Sequence, residues 1–111
     1  MTNQQLAIRR NNHARLFKHS STIKRNTIRL NVGNTYEHEL KKFEICWDLQ
    51  RQGKHYITEA ETEDGIRADI VNLDDGICIE LVKSESKASI KAKMAKYPLP
   101  IEVIKIKEEK Q

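Results

Sequence analysis

The order of hydrophobic patterns predicts an α/β (α+β) domain built as α-β-β-β-α-β, with a mixed central sheet flanked by helices. Three observations carry this. Tyr36, Leu40, Phe43 and Trp47 recur at intervals of four, three and four, the spacing of one helix face. Three strand-like runs then follow Gly53, separated by the turn pairs Asp64-Gly65 and Asp75-Gly76 and closed by Ser84-Glu85-Ser86. Finally, Ile90, Met94 and Tyr97 line a second helix that Pro98 and Pro100 stop, and Ile101 to Ile106 alternates as a last strand. A meander closed by short turns is antiparallel, whereas a strand delivered by a crossover helix runs parallel to its neighbour, so the sheet is expected to be mixed.

Residues 1–34 form a basic N-terminal arm with little periodicity. Leu6, Ala7, Leu16 and Phe17 are able to line a short helix there and Ile28 to Val32 a strand, before Gly33-Asn34 closes the segment. Residues 35–107 form the core domain, and 108–111 a charged tail. The helix from Tyr36 ends near Gly53 and carries most of the aromatic mass, so it is expected to anchor the core, with Trp47 on its apolar stripe as a core residue rather than a base-stacking platform. His55 to Thr62, Ile66 to Leu73 and Ile77 to Val82 make the meander. Ser84 or Ser86 caps the second helix.

With 111 residues, 38% hydrophobic and 32% charged, the chain is one small soluble domain. Its two cysteines, Cys46 and Cys78, have no zinc or disulfide spacing, which points to a reducing cytoplasm. No apolar run approaches a membrane span. The net charge of +4 is unevenly placed. Arg9, Arg10, Arg15, Lys18, Lys24, Arg25 and Arg29 precede the first acid, Glu37, whereas the remainder holds 13 bases against 16 acids. An acid-free stretch of this kind reads as a phosphate-contacting arm that releases counterions from a polyanion. A solvated disordered tail and an organelle transit sequence are the competing readings, the latter weakened by the lack of an amphipathic stripe.

The chemistry concentrates on Asp69 and Glu80. A two-residue Asp75-Gly76 turn sets Leu73 opposite Cys78, Val71 opposite Glu80 and Asp69 opposite Val82, leaving the two acids diagonal neighbours on one face. At roughly 5 Å and an effective dielectric near 20, two carboxylates repel by roughly 3 kcal/mol. One must then hold a proton, or a cation must bridge them. An oxygen-rich divalent site for Mg²⁺ is the functional reading; a different register, with one acid in solvent, is the alternative. Zinc-protease and zinc-finger spacings, a glycine-rich phosphate loop and a nucleophile elbow are all missing.

Gly65-Ile66-Arg67-Ala68-Asp69-Ile70-Val71 and Ile79-Glu80-Leu81-Val82 resemble the second- and third-strand motifs of the PD-(D/E)XK, or restriction-endonuclease-like, nuclease superfamily, in particular its small archaeal and viral resolvase-like members. The resemblance spans about Tyr36 to Lys107. It implies a restriction-endonuclease-like core and a Mg²⁺-dependent deoxyribonuclease, with Mn²⁺ able to substitute, acting on DNA that is branched or nicked. Asp69 and Glu80, with the Leu81 carbonyl, would be the metal ligands, and an acid on the first helix would stand near them: Glu39, with Glu44 and Glu37 as further candidates. Glu59 on the first strand joins them only if its turn has three residues.

The family's lysine two positions after the second acid is Val82 here, and Lys83 projects to the opposite face unless a bulge shifts it. Lys93 or Lys87, about 60° to either side of Ile90 on the second helix, is the expected replacement. A homodimer is expected, since two strands must be cut, and the host cytoplasm is the setting if the source is viral. The missing lysine motivates a rival reading, a catalytically inactive nuclease-fold DNA-binding protein. A small RNA-associated basic protein is the third.

Overall fold

Hydrogen bonding by Thr2 starts the chain's first helix: its hydroxyl accepts from the Gln5 amide while the Gln5 side chain accepts from the Thr2 amide, a reciprocal capping box. The computed structural model describes residues 1–20, 22–83 and 87–106. Within them the elements are α1 (Asn3–Ala14), α2 (Tyr36–Arg51), β1 (Tyr56–Glu61), β2 (Arg67–Asn72), β3 (Ile77–Val82), α3 (Lys87–Met94) and β4 (Ile101–Lys105). The expected Ser84 or Ser86 cap, the side chain of Lys87 and the tail from 107 onward lie outside the described residues. No helix among those described is long and apolar enough to cross a membrane.

The four strands form one sheet in the order β1-β2-β3-β4. The first two pairings are antiparallel and the third is parallel, so the sheet is mixed, as the crossover through α3 requires. Cys46 and Leu49 of α2 pack on one face with Tyr56, Ile70, Ile79 and Leu81. Ala14 and Phe17, at and just past the end of α1, close the other face with Ile57, Val71, Leu73, Cys78 and Tyr97. The molecule is thus an α+β arrangement with helices on both sides of a sheet.

Two expectations are corrected. The stripe of Tyr36, Leu40, Phe43 and Trp47 does not anchor the core: these side chains are 76%, 43%, 47% and 61% exposed. The helix is turned so that His38, Lys42, Cys46 and Leu49 face inward instead, because the two polar members pair with the partly buried acids described below. Trp47 is therefore a surface residue. Ile28 to Val32 forms no strand; the segment is tied to β1 through side chains, with the Arg29 amide donating to Thr58 Oγ1 (2.9 Å) and Thr58 Oγ1 to the Thr27 carbonyl (3.0 Å).

The basic segment is built into the fold. Arg10 makes a two-pronged pair with Asp74, Nε to Oδ1 at 2.7 Å and Nη2 to Oδ2 at 2.9 Å, and also donates to the Gly53 carbonyl. His13 reaches the Leu73 carbonyl through Nδ1, and its ring lies over Gly76. Gly76 has φ +67°, and a Cβ there would stand 2.6 Å from His13 Nε2. Only glycine fits this corner.

Candidate functional site

The β2–β3 connection fixes the geometry of the acids. Asn72 pairs with Ile77, Val71 with Cys78 and Ile70 with Ile79, so the connection is the four residues 73–76 and not the expected two. Asn72 accounts for the longer turn: its Oδ1 accepts from the amides of Asp74 and Asp75, and its carbonyl accepts from Gly76 N. The register moves by two residues and every face is kept, so Leu73 does not oppose Cys78 and Asp69 does not oppose Val82. Continuing the register one step past Ile70 and Ile79 sets Asp69 directly opposite Glu80.

The backbone ladder ends at that step and a side chain continues it. Asp69 Oδ2 accepts from the Leu81 amide at 2.8 Å, standing where a strand carbonyl would otherwise be. The acids therefore lie in a fork between β2 and β3, which is reached from both layers. From the α2 side, His38 Nε2 approaches Asp69 Oδ2 at 3.4 Å while its Nδ1 lies 3.0 Å from Glu39 Oε1. From the other side, the Tyr97 hydroxyl donates to Glu80 Oε1 and also contacts the Arg67 carbonyl.

Charge decides how these groups share protons. Burial, followed by the neighbouring Asp69 charge, raises the Glu80 carboxyl to about 7. At neutral pH Glu80 is therefore poised between its protonated and ionised forms, with the Asp69 charge beside it. Burial and Glu80 together push the Tyr97 phenol up, so it remains a donor. Burial would also raise Glu39, but hydrogen bonds from Lys42, Asn34, the Asn31 amide and His38 outweigh it and hold Glu39 down to about 2.

Lys42 is the buried cation of this cluster. Its Nζ donates to Glu39 Oε2 at 2.7 Å, the Arg29 carbonyl at 2.9 Å and Glu59 Oε1 at 3.1 Å, which uses all three of its protons. Glu59 meets it because the β1–β2 connection has three residues: Thr62 N donates to the Ile66 carbonyl across residues 63–65. Glu59 thereby falls at the level of Asp69, between the pairs Thr58–Ile70 and Ala60–Ala68. Its backbone has φ +51°, a left-handed conformation that costs a side-chain-bearing residue about 1–2 kcal/mol; the buried pair with Lys42 holds it there.

Of the sequence candidates, Asp69, Glu80, Glu39 and Glu59 are thus brought into one cluster. Glu37 and Glu44 lie on the exposed side of α2. Lys93 lines a narrow gap with Glu80 between α3 and the strands, and its charge draws the Glu80 carboxyl back toward ionisation. Val82 borders the same gap. His38, Lys42 and Tyr97 complete the cluster and were not anticipated. The sequence signal for the first two was a polar pair at i, i+4 on α2, opposite the apolar stripe; for Tyr97 no signal distinguished it from core.

Among the basic residues, Arg10 is spent on Asp74, and Arg25 donates to Asn11 Oδ1 at 2.6 Å. Arg9, Arg15 and Lys24 are exposed. Lys18 and Arg29 line an open groove with His19 and Arg67 that reaches Glu59, at the edge of the acid cluster. Cys46 and Cys78 are buried thiols pushed up to about 12 by desolvation, so they stay protonated at neutral pH.

Among the described residues, no three His, Cys, Asp or Glu side chains converge as a metal-binding group. Two opposed carboxylates are nevertheless a donor set that suits Mg²⁺, which is commonly held by one or two carboxylates and keeps much of its water. Comparison with protein-family models, curated proteins and solved structures finds no match.

Proposed function

We propose that the chain is a metal-dependent DNA endonuclease of restriction-endonuclease-like type. The observation that carries this reading is the meeting of Asp69 and Glu80 in the strand fork, where burial and the neighbouring Asp69 charge work against ionisation of Glu80 and a bound cation would relieve both. Asp69 and Glu80 would hold Mg²⁺, or Mn²⁺ in its place. A divalent ion there supplies Lewis-acid polarisation and charge neutralisation at a phosphodiester.

The chain's own residues do the rest. The Leu81 amide fixes one Asp69 oxygen, and the Tyr97 hydroxyl fixes Glu80 Oε1, so both carboxyls are oriented before any ligand arrives. His38 links Asp69 to Glu39, and Lys42 neutralises Glu39 and Glu59 without occupying the fork. Lys93, on the Glu80 side, takes the role of orienting the attacking water that Val82 leaves vacant. The groove of Lys18, Arg29 and Arg67 would guide a phosphate backbone toward the acids.

The test is incubation of supercoiled, nicked and branched DNA with Mg²⁺ or Mn²⁺, comparing the native protein with Asp69→Ala, Glu80→Ala and Lys93→Ala. Nicking that disappears in the first two and falls in the third is expected. Cleavage surviving both acid substitutions removes the proposed site. The second reading, a binding module that has lost cleavage, is favoured by Val82 alone; retention of DNA without nicking under any metal would select it.

A further inference from the structure

We propose that two copies of this chain pair through α2, antiparallel about a two-fold axis passing beside Phe43 and Glu44. The starting point is the outward stripe of Tyr36, Leu40, Phe43 and Trp47, all between 43% and 76% exposed. At 100° per residue these four fall within a sector of about 60° on the helix. Phe43 and Trp47 are stacked in a tilted arrangement with ring centres 6.1 Å apart, so the stripe is a formed ridge. Shallow grooves flank it, one beside Tyr36 and Leu40 toward Lys105 and Ile106, the other beside Phe43 and Trp47 toward Ile28.

The charges beside the ridge choose the occupant. Glu37, Lys41, Glu44, Asp48 and Arg51 all fall on one flank, within about 80° of one another, while Glu39 and Gln50 border the other. In an antiparallel two-fold pair, like flanks meet. With the axis near Glu44, Glu37 of each copy faces Arg51 of the other and Lys41 faces Asp48, giving four opposite-charge pairs. Within one copy, Lys41 contacts Glu44 at 3.6 Å and Arg51 contacts Asp48 at 3.3 Å, both at the surface, so the axial Glu44 residues are each accompanied by a lysine. The same register stacks Leu40 on Trp47 of the second copy and brings the two Phe43 rings together. A parallel pair would set the charged flank against Glu39 and Gln50 and make none of these matches.

The area is sufficient for a reversible dimer. Taking about 200 Å² for each aromatic side chain, the exposed fractions leave roughly 450 Å² of apolar surface per copy. A symmetric pair then covers roughly 900 Å² before the charged flank is added, which reaches the range of weak, specific association.

Sedimentation velocity and light scattering on the full chain across micromolar concentrations test this. A concentration-dependent species of twice the monomer mass is expected, with Trp47 emission shifting blue as it forms. Trp47→Asp should leave a monomer with an unchanged far-ultraviolet circular dichroism spectrum. Glu37→Arg should weaken pairing by about tenfold or more, and adding Arg51→Glu should restore it. A monomer at every concentration, a dimer indifferent to Trp47→Asp, or a double charge swap that fails to restore pairing would each overturn the proposal. DNA cleavage is not read in any of these arms, so their outcome is independent of the nuclease reading.

Discussion

Replacing Glu80 with glutamine is expected to make the protein more stable while disabling the site. In the folded chain burial and Asp69 raise this carboxyl from 4.5 to about 7. The unfolded chain gives up its Glu80 proton near pH 4.5, the folded chain only near 7, so native stability falls as pH rises through that interval and is level above it. At 1.36 kcal/mol per pH unit, the folded state carries a penalty of up to about 3 kcal/mol at pH 8. Glutamine matches the protonated form: its carbonyl can accept from Tyr97 and its amide can donate to Asp69. Glu80→Gln should therefore gain about 1–3 kcal/mol at pH 8, roughly 5–15 °C in Tm, and almost nothing at pH 4.5. Urea and thermal unfolding followed by circular dichroism at the two pH values measure this. Millimolar Mg²⁺ should then stabilise the native protein at pH 8 and not the variant. A variant no more stable than the native protein at pH 8, or equally stabilised at both pH values, refutes the account of Glu80 as a carboxyl raised by burial and by Asp69.

Lys42→Met strands Glu39 and Glu59 in the interior and should cost about 3–5 kcal/mol in urea unfolding, with Glu39→Gln and Glu59→Gln recovering part of the loss. Arg10→Ala removes the two-pronged Asp74 pair and should cost about 2 kcal/mol of stability. The same variant should leave the salt dependence of DNA binding unchanged, since that guanidinium is already engaged; a shallower log–log salt slope would show that it contacts phosphate. Gly76→Ala meets His13 and holds a left-handed backbone, and should lower stability by about 2 kcal/mol, measured by the denaturation midpoint.

The strands and their punctuation were legible because Asp64-Gly65 and Asp75-Gly76 mark turns wherever they occur, and the alternation between them admits little else. What failed was the count of residues inside one turn. Asp-Gly suggests a two-residue hairpin, but an asparagine four positions before the glycine can fold its side chain over the corner and lengthen the loop, and Asn72 does so. The two-residue change preserved the faces, which is why the pairing of Asp69 with Glu80 survived an incorrect register. The outward face of α2 was misread for a different reason. Periodicity identifies an apolar stripe without saying what covers it, and His38 and Lys42 look like solvent residues until Glu39, Glu59 and Asp69 supply their partners. The basic segment was read chiefly from its charge, with Phe17 placed only on a short helix, whereas Ala14 and Phe17 within it complete one side of the core.

The carboxylate that stands in for a backbone rung at the fork makes one amide a reporter. Leu81 N–H is held by a side-chain oxygen, Asp69 Oδ2, so its exchange with solvent deuterium depends on where that oxygen points. A visitor that engages Asp69 without disturbing this bond would leave Leu81 protected, whereas one that recruits Oδ2 would unlatch a single hydrogen between two paired strands. Occupancy of the fork can in this way be followed at one named proton, on an intact molecule and without any turnover.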